Sequence, residues 1–205
     1  MLFEDTYQTI AGRSQGTFRD KASKFIGIAL PVAGEEDMKN QLAQLRKEYH
    51  DANHHCYAFR LGADKSEYRF NDDGEPSGSA GKPIYGQILS FDLTNILIVV
   101  VRYFGGTKLG IPGLINAYRT TAREALSQAT VVTQTVNELY ELRFEYPLMN
   151  DVMRVLKEEN AGIILQDFET NCRIRFVVRK SSGTIIYSKF QRMNGVSVTF
   201  LSVYK

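Results

Sequence analysis

The stretch NILIVVVRYF, Asn95–Phe104, constrains the fold more than any other part of this sequence. Six consecutive aliphatic residues, Ile96–Val101, leave no polar face. A strand with this pattern is buried on both faces, so it needs packed layers on either side of its sheet. The run is too short to span a bilayer, which requires about 20 apolar residues. It must therefore be the middle of a globular core.

The rest of the first 130 residues supplies elements for such layers. Thr6–Gly12 and Phe25–Pro31 read as strands, with Lys21 and Lys24 before the second. Met38, Leu42, Leu45 and Tyr49 recur at helical spacing. His55, Tyr57, Phe59 and Leu61 alternate at strand period, and Tyr68–Phe70 is their hairpin partner across GADKS. Ile84, Ile88 and Phe91 mark a helix with Pro83 in its first turn, and Leu114–Gln128 marks another.

Near Thr130 the pattern changes. Strand Leu139–Tyr146, helix Leu148–Asn160, strands Ile163–Phe168 and Arg173–Lys180, helix Ser182–Met193 and strand Val196–Val203 follow in turn. This βαββαβ order predicts a ferredoxin-like domain. The expected division is residues 1–132 and 133–205, in a mixed α+β protein.

Bulk properties narrow the function classes. The 205 residues are 43% hydrophobic and 23% charged, as in an ordinary globular protein. A net charge of +2 gives no global field for nucleic acid, so such binding needs a local patch. Two cysteines far apart and an acidic N-terminal stretch without a signal-like pattern suit a cytoplasmic protein with no membrane partner.

Two loops flank this core with unusual composition. The first is NDDGEPSGSAGKP, Asn71–Pro83, and the second is RYFGGTKLG, Arg102–Gly110. Asp72, Asp73 and Glu75 place three carboxylates within four residues, which suits Mg²⁺ by chemistry. Backbone amides near Ser79 and Lys82, at the start of a helix, suit a phosphate. In the second loop Arg102 and Lys108 suit phosphates, Tyr103 or Phe104 suits base stacking, and Gly105 and Gly106 allow close approach. A plainer reading has Asp and Gly making turns, and Arg102 neutralising the acids. If Arg102 pairs with Asp72 or Asp73, the loops form one site.

Other clusters carry weaker chemistry. His54, His55 and Cys56 are adjacent on a strand and point to opposite faces, against a shared metal. Ser77 or Ser79 with a histidine lacks the frame of a hydrolase nucleophile. No metal or cofactor is therefore assigned. Arg173, Arg175 and Arg179 share a strand face and are candidates for phosphate contact, unless Glu141 and Glu145 neutralise them. Arg119 and Arg123, one turn apart on a helix, extend a basic surface or are plain exposed charges.

The blocks DDGEP (Asp72–Pro76), AGKP (Ala80–Pro83), VRYFGG (Val101–Gly106) and KLG (Lys108–Gly110), with His54-His55-Cys56 upstream, resemble the IMPACT/YigZ family. Ser79 stands where that family usually has threonine, and Ile111-Pro112 where a small residue and glycine are usual. The resemblance implies an N-terminal domain like the second domain of small-subunit ribosomal protein five, with a ferredoxin-like domain after it in the bacterial branch. It also implies a role in translation. Eukaryotic relatives modulate translational control through protein contacts, and RNA binding is proposed for bacterial ones. The resulting expectation is a non-catalytic binding protein whose partner is RNA, the ribosome or a translation-associated protein. An enzyme acting on a small phosphorylated substrate and a pure protein-interaction module are the alternatives.

Overall fold

The structure is a computed structural model that describes residues 5–168 and 171–204. The chain divides into two compact units, Tyr7–Gln134 and residues 135–204 together with residues 5–6. Eleven strands and five α-helices lie among the described residues.

In the first unit, β2 (Ser14–Asp20), β3 (Ser23–Pro31), β4 (His54–Leu61), β5 (Glu67–Asn71) and β6 (Ile96–Tyr103) form one sheet in the order β2-β3-β6-β4-β5. Every pairing in it is antiparallel. The aliphatic run occupies the centre, as its composition requires. Its odd residues Leu97, Val99 and Val101 face α1 (Glu35–Glu48) and pack with Met38, Leu42 and Leu45. Its even residues Ile96, Ile98 and Val100 face α2 (Gly81–Ser90) and α3 (Gly110–Ser127). All six are fully buried. Two further strands, β1 (Thr6–Ile10) and β7 (Val131–Thr135), make a separate two-stranded sheet.

Sequence reading misses β2. Its buried positions are Ser14 and Gly16, so no apolar alternation marks it. The small residues let α3 press directly on the strand. Ser14 Oγ donates to the Ala125 carbonyl at 2.8 Å, and a Cβ at Gly16 would strike the α3 backbone. The β2–β3 turn is equally unmarked, because Lys21 and Ala22 take positive φ (42° and 64°) in place of glycine or asparagine.

The second unit contains β8 (Asn137–Glu145), a 3₁₀ turn at Tyr146–Leu148, α4 (Met149–Glu158), β9 (Gly162–Phe168), β10 (Asn171–Arg179), α5 (Lys180–Gln191) and β11 (Val196–Tyr204). Sheet order β11-β8-β10-β9 gives the ferredoxin-like arrangement. Cys172, Ile174, Phe176 and Val178 of β10 share a core with Val152 and Leu156 of α4 and Ile186 and Phe190 of α5. Among the described residues no helix is long and apolar enough to cross a membrane.

Candidate functional site

The three acids of the first loop do three different jobs. Asp72 follows β5 and turns its carboxylate onto the start of α2. Oδ1 accepts the Ala80 and Gly81 amides at 3.0 and 2.8 Å, and Oδ2 accepts the Gly78 amide at 2.9 Å. This is a helix cap supplied from outside the helix. The amides expected to cradle a phosphate are thus occupied by the chain's own carboxylate, and Asp72 is not free to hold Mg²⁺.

Asp73, at φ 44°, serves the strand beside it. Its Oδ2 accepts the His55 amide at 2.6 Å, and Oδ1 lies 3.6 Å from Arg46. Its carbonyl lies 2.8 Å from His54 Nδ1. A carbonyl only accepts, so Nδ1 carries the proton in that contact and Nε2 is left facing Glu75. His55 turns the other way, with Nε2 at 2.9 Å from the Tyr49 carbonyl. The two histidines diverge, as strand geometry dictates. Among the described residues no three His, Cys, Asp or Glu side chains converge as metal ligands.

Glu75 is the acid that joins the loops. Its Oε1 accepts from Arg102 Nη1 at 2.6 Å and from the Tyr118 hydroxyl at 2.7 Å, with His54 Nε2 at 3.9 Å. The expected partners of Arg102, Asp72 and Asp73, are replaced by Glu75. Positive φ at Asp73 and Gly74 reverses the chain and turns Glu75 inward toward β6. Arg102 lies between the rings of Phe25 and Phe104, 5.5 and 5.3 Å from their centroids. Ser23 Oγ lies 3.5 Å from its Nη2 and accepts the Gly105 amide at 3.2 Å.

Sequence reading passed over Ser23, Phe25 and Tyr118. Tyr118 sits in the apolar stripe of α3, where it looks like any core aromatic, and its hydroxyl is visible only once Glu75 is placed. Cys56 completes the network, donating to the Asp72 carbonyl at 2.9 Å and facing the Tyr118 hydroxyl at 3.3 Å. Burial pushes both the Cys56 thiol and the Tyr118 phenol far above their ordinary values.

Above this floor lies a pocket of about 430 Å³. Its polar wall is Asn53, His54, Glu75, Arg102 and Lys108. Its apolar wall is Pro76, Phe104, Leu109, Ile111 and Leu114. Phe104 and Ile111 are 46% and 53% exposed and form the rim. Ile111 and Pro112, the departure from the family pattern, lie in the first turn of α3, where proline is tolerated.

Several expected members of the site stand elsewhere. Tyr103 points to the α1 face, because alternate strand residues face opposite ways. Its hydroxyl donates to Asp51 at 2.9 Å, and burial raises its phenol to about 12. Ser79 is buried and donates its hydroxyl to the Pro76 carbonyl at 2.6 Å. Gly105 packs against the β2–β3 turn, where a Cβ would overlap the Ala22 backbone. Gly106 takes φ 85° to make the turn that follows. Lys82, Arg119 and Arg123 are exposed on α2 and α3, away from the pocket.

In the second unit the arginine face carries its own counterions. Arg175 Nε donates to Glu141 at 2.8 Å, directly across the strand pair. Arg173 pairs with Asp167 at 3.2 Å and Arg179 with Asp5 at 2.7 Å. Glu141 also pairs with Arg143, whereas Glu145 lies opposite Asn171. A face of paired charges is a weak match for a nucleic-acid backbone.

Both loops, β6 and most of α3 fall inside residues 21–126, which match the Impact N-terminal domain. That span is half of the chain. The chain belongs to the IMPACT family. The IMPACT family member YigZ of Escherichia coli K12 is 33% identical over 185 residues, covering 89% of this chain and 91% of YigZ. A yeast relative, the "Protein IMPACT homolog" of Saccharomyces cerevisiae, is 33% identical over 113 residues, covering 54% of this chain and 43% of the yeast protein. A crystal structure described as that of a hypothetical protein is 30% identical and superposes with a TM-score of 0.75, covering 99% of this chain and 100% of that one. The IMPACT family resemblance therefore extends, with the fold, over both units.

Proposed function

We propose that this IMPACT family protein is a binding protein of the translation apparatus, and that its loop pocket takes a nucleotide segment of RNA, free or on the ribosome. One observation carries the reading. The half-exposed Phe104 ring is backed by the buried Arg102 guanidinium and stands on the same pocket as Lys108, which has no ion-pair partner among the described residues. An open aromatic face beside a free cation fits a base with its phosphate, and such stacking contributes about 1–3 kcal/mol per base. Arg102 serves here as the support of that ring, because Glu75 already offsets its charge. The link to translation rests on the resemblance to the family.

Co-sedimentation with ribosomes across a salt series tests the proposal. The wild type binds at low salt with steep salt dependence. Phe104→Ala and Lys108→Ala each weaken it. Absence of binding at low salt contradicts the reading. A protein partner is the second reading, favoured by the exposed Ile111 on the rim. Salt-tolerant capture of a single protein, lost in Ile111→Asp, supports it instead.

A further inference from the structure

A second groove, of about 370 Å³, opens between α2 and α3 and shares no lining residue with the loop pocket. Lys82 of α2 and Arg119 of α3 flank it, with Gly86 and Ile115 among its walls. Gly86 lies inside α2, where glycine weakens a helix relative to alanine. Four other glycines of this unit have a reason inside the fold. A Cβ at Gly16, Gly27, Gly81 or Gly105 would strike the backbone of a neighbouring segment. A Cβ at Gly86 would meet nothing within 4 Å. No contact among the described residues demands this glycine, yet its missing side chain leaves the groove open down to the helix backbone.

The charges on the two flanking helices are one-sided, with the Asp72 carboxylate held on the Gly78 amide at the groove's end. Residues 81–90 contain no carboxylate, and Glu124 is the only one in residues 110–127. Neither Lys82, Arg119 nor Arg123 has an ion-pair partner among the described residues. Arg123 follows Arg119 by one helical turn, about 5.4 Å along the axis.

We propose that the α2–α3 groove is a second binding site, for the sugar–phosphate backbone of single-stranded RNA. Lys82 and Arg119 close on one phosphate above Gly86, and Arg123 meets the next. Glycine is required because the strand comes down onto the helix backbone, where a side chain would hold it off. The proposal rests on the RNA reading for the nature of the ligand, while its residues are separate from those of the loop pocket.

The test is a titration of the full chain with a short fluorescein-labelled single-stranded RNA of mixed sequence, repeated over a salt series. Lys82→Ala/Arg119→Ala lowers the slope of log affinity against log salt by about 1.4, two contacts at about 0.7 each on a single strand. Gly86→Leu lowers affinity at least tenfold (about 1.4 kcal/mol), and Gly86→Ala lowers it less. Both keep the wild-type circular dichroism spectrum, and Gly86→Ala melts higher than the wild type. A stabilised variant that binds less well separates a ligand role from a folding role. The pocket variant Phe104→Ala/Lys108→Ala distinguishes the two sites. RNA binding that it leaves intact but Gly86→Leu abolishes supports this groove and counts against the pocket. Binding unchanged by Gly86→Leu and by Lys82→Ala/Arg119→Ala overturns the groove and leaves the pocket reading standing. Absence of RNA binding by the wild type at low salt overturns both, as does salt-tolerant capture of a protein lost in Gly86→Leu, which would make the groove a helix-docking surface.

Discussion

Glu75 and Arg102, twenty-seven residues apart in sequence, meet at 2.6 Å with side chains only 4% and 6% exposed. This pair fastens the acid loop to the end of the central strand. It also fixes the floor of the pocket, since Arg102 supports Phe104 and Glu75 receives Tyr118 and approaches His54.

A buried pair of this kind is costly to break from one side. Glu75→Gln leaves the Arg102 charge uncompensated and lowers stability by about 3 kcal/mol. The paired replacement Glu75→Leu/Arg102→Met removes both charges and loses markedly less. Urea unfolding midpoints measure the difference. Equal losses in the two variants would contradict a directly coupled pair.

Asp72 holds three backbone amides at the start of α2. Asp72→Ala orphans them and costs about 2 kcal/mol, with Asp72→Asn retaining part of the stability. Thermal melts with and without millimolar Mg²⁺ check the assignment. If Asp72 served a cation instead, Mg²⁺ would raise the melting temperature of the wild type and not that of Asp72→Ala.

The second unit has its own acid-sensitive contact. The hydrogen bond from Arg175 holds the Glu141 carboxyl below its ordinary range, burial opposes this, and Arg143 adds to the lowering. A carboxylate with a depressed folded-state value contributes stability that is full above its unfolded value, about 4.3, and lost as pH falls through the lower folded value. Glu141→Gln therefore flattens the fall in melting temperature on acidification between about pH 5 and pH 3. An unchanged acid limb would show that Glu141 is not stabilised by its arginines.

Cys56 and Cys172 are both fully buried, and burial raises the Cys56 thiol. Neither reacts with a chromogenic disulfide reagent in the native protein at about pH 8, and both react after denaturation. Rapid native modification of Cys56 would contradict the closed network with Tyr118 and Asp72.

The large elements are legible in the sequence because burial imposes period. Ile96–Val101 announces a strand covered on both faces, and the alternation Ile174, Phe176, Val178 announces half of the ferredoxin-like core. β2 is silent because Ser14 and Gly16 fill the inward positions. The site is legible by composition and not by assignment. Three acids and one buried arginine predict a pair, but backbone turns at Asp73 and Gly74, not residue type, decide that Glu75 makes it. Tyr103 adjoins Arg102 in sequence, but strand period sends it to the opposite face. Tyr118 offers no signal until its hydroxyl has a partner.

The chain contains no tryptophan, so Phe104→Trp places a single, selectively excitable indole on the rim of the loop pocket. Titration of this variant with a short single-stranded RNA is the most direct measurement of the central proposal. Stacking of a base on the indole predicts saturable quenching at low salt that weakens as salt rises and is lost on adding Lys108→Ala. An emission spectrum that RNA leaves unchanged, in a variant that still folds as the wild type, would contradict the pocket as the RNA site.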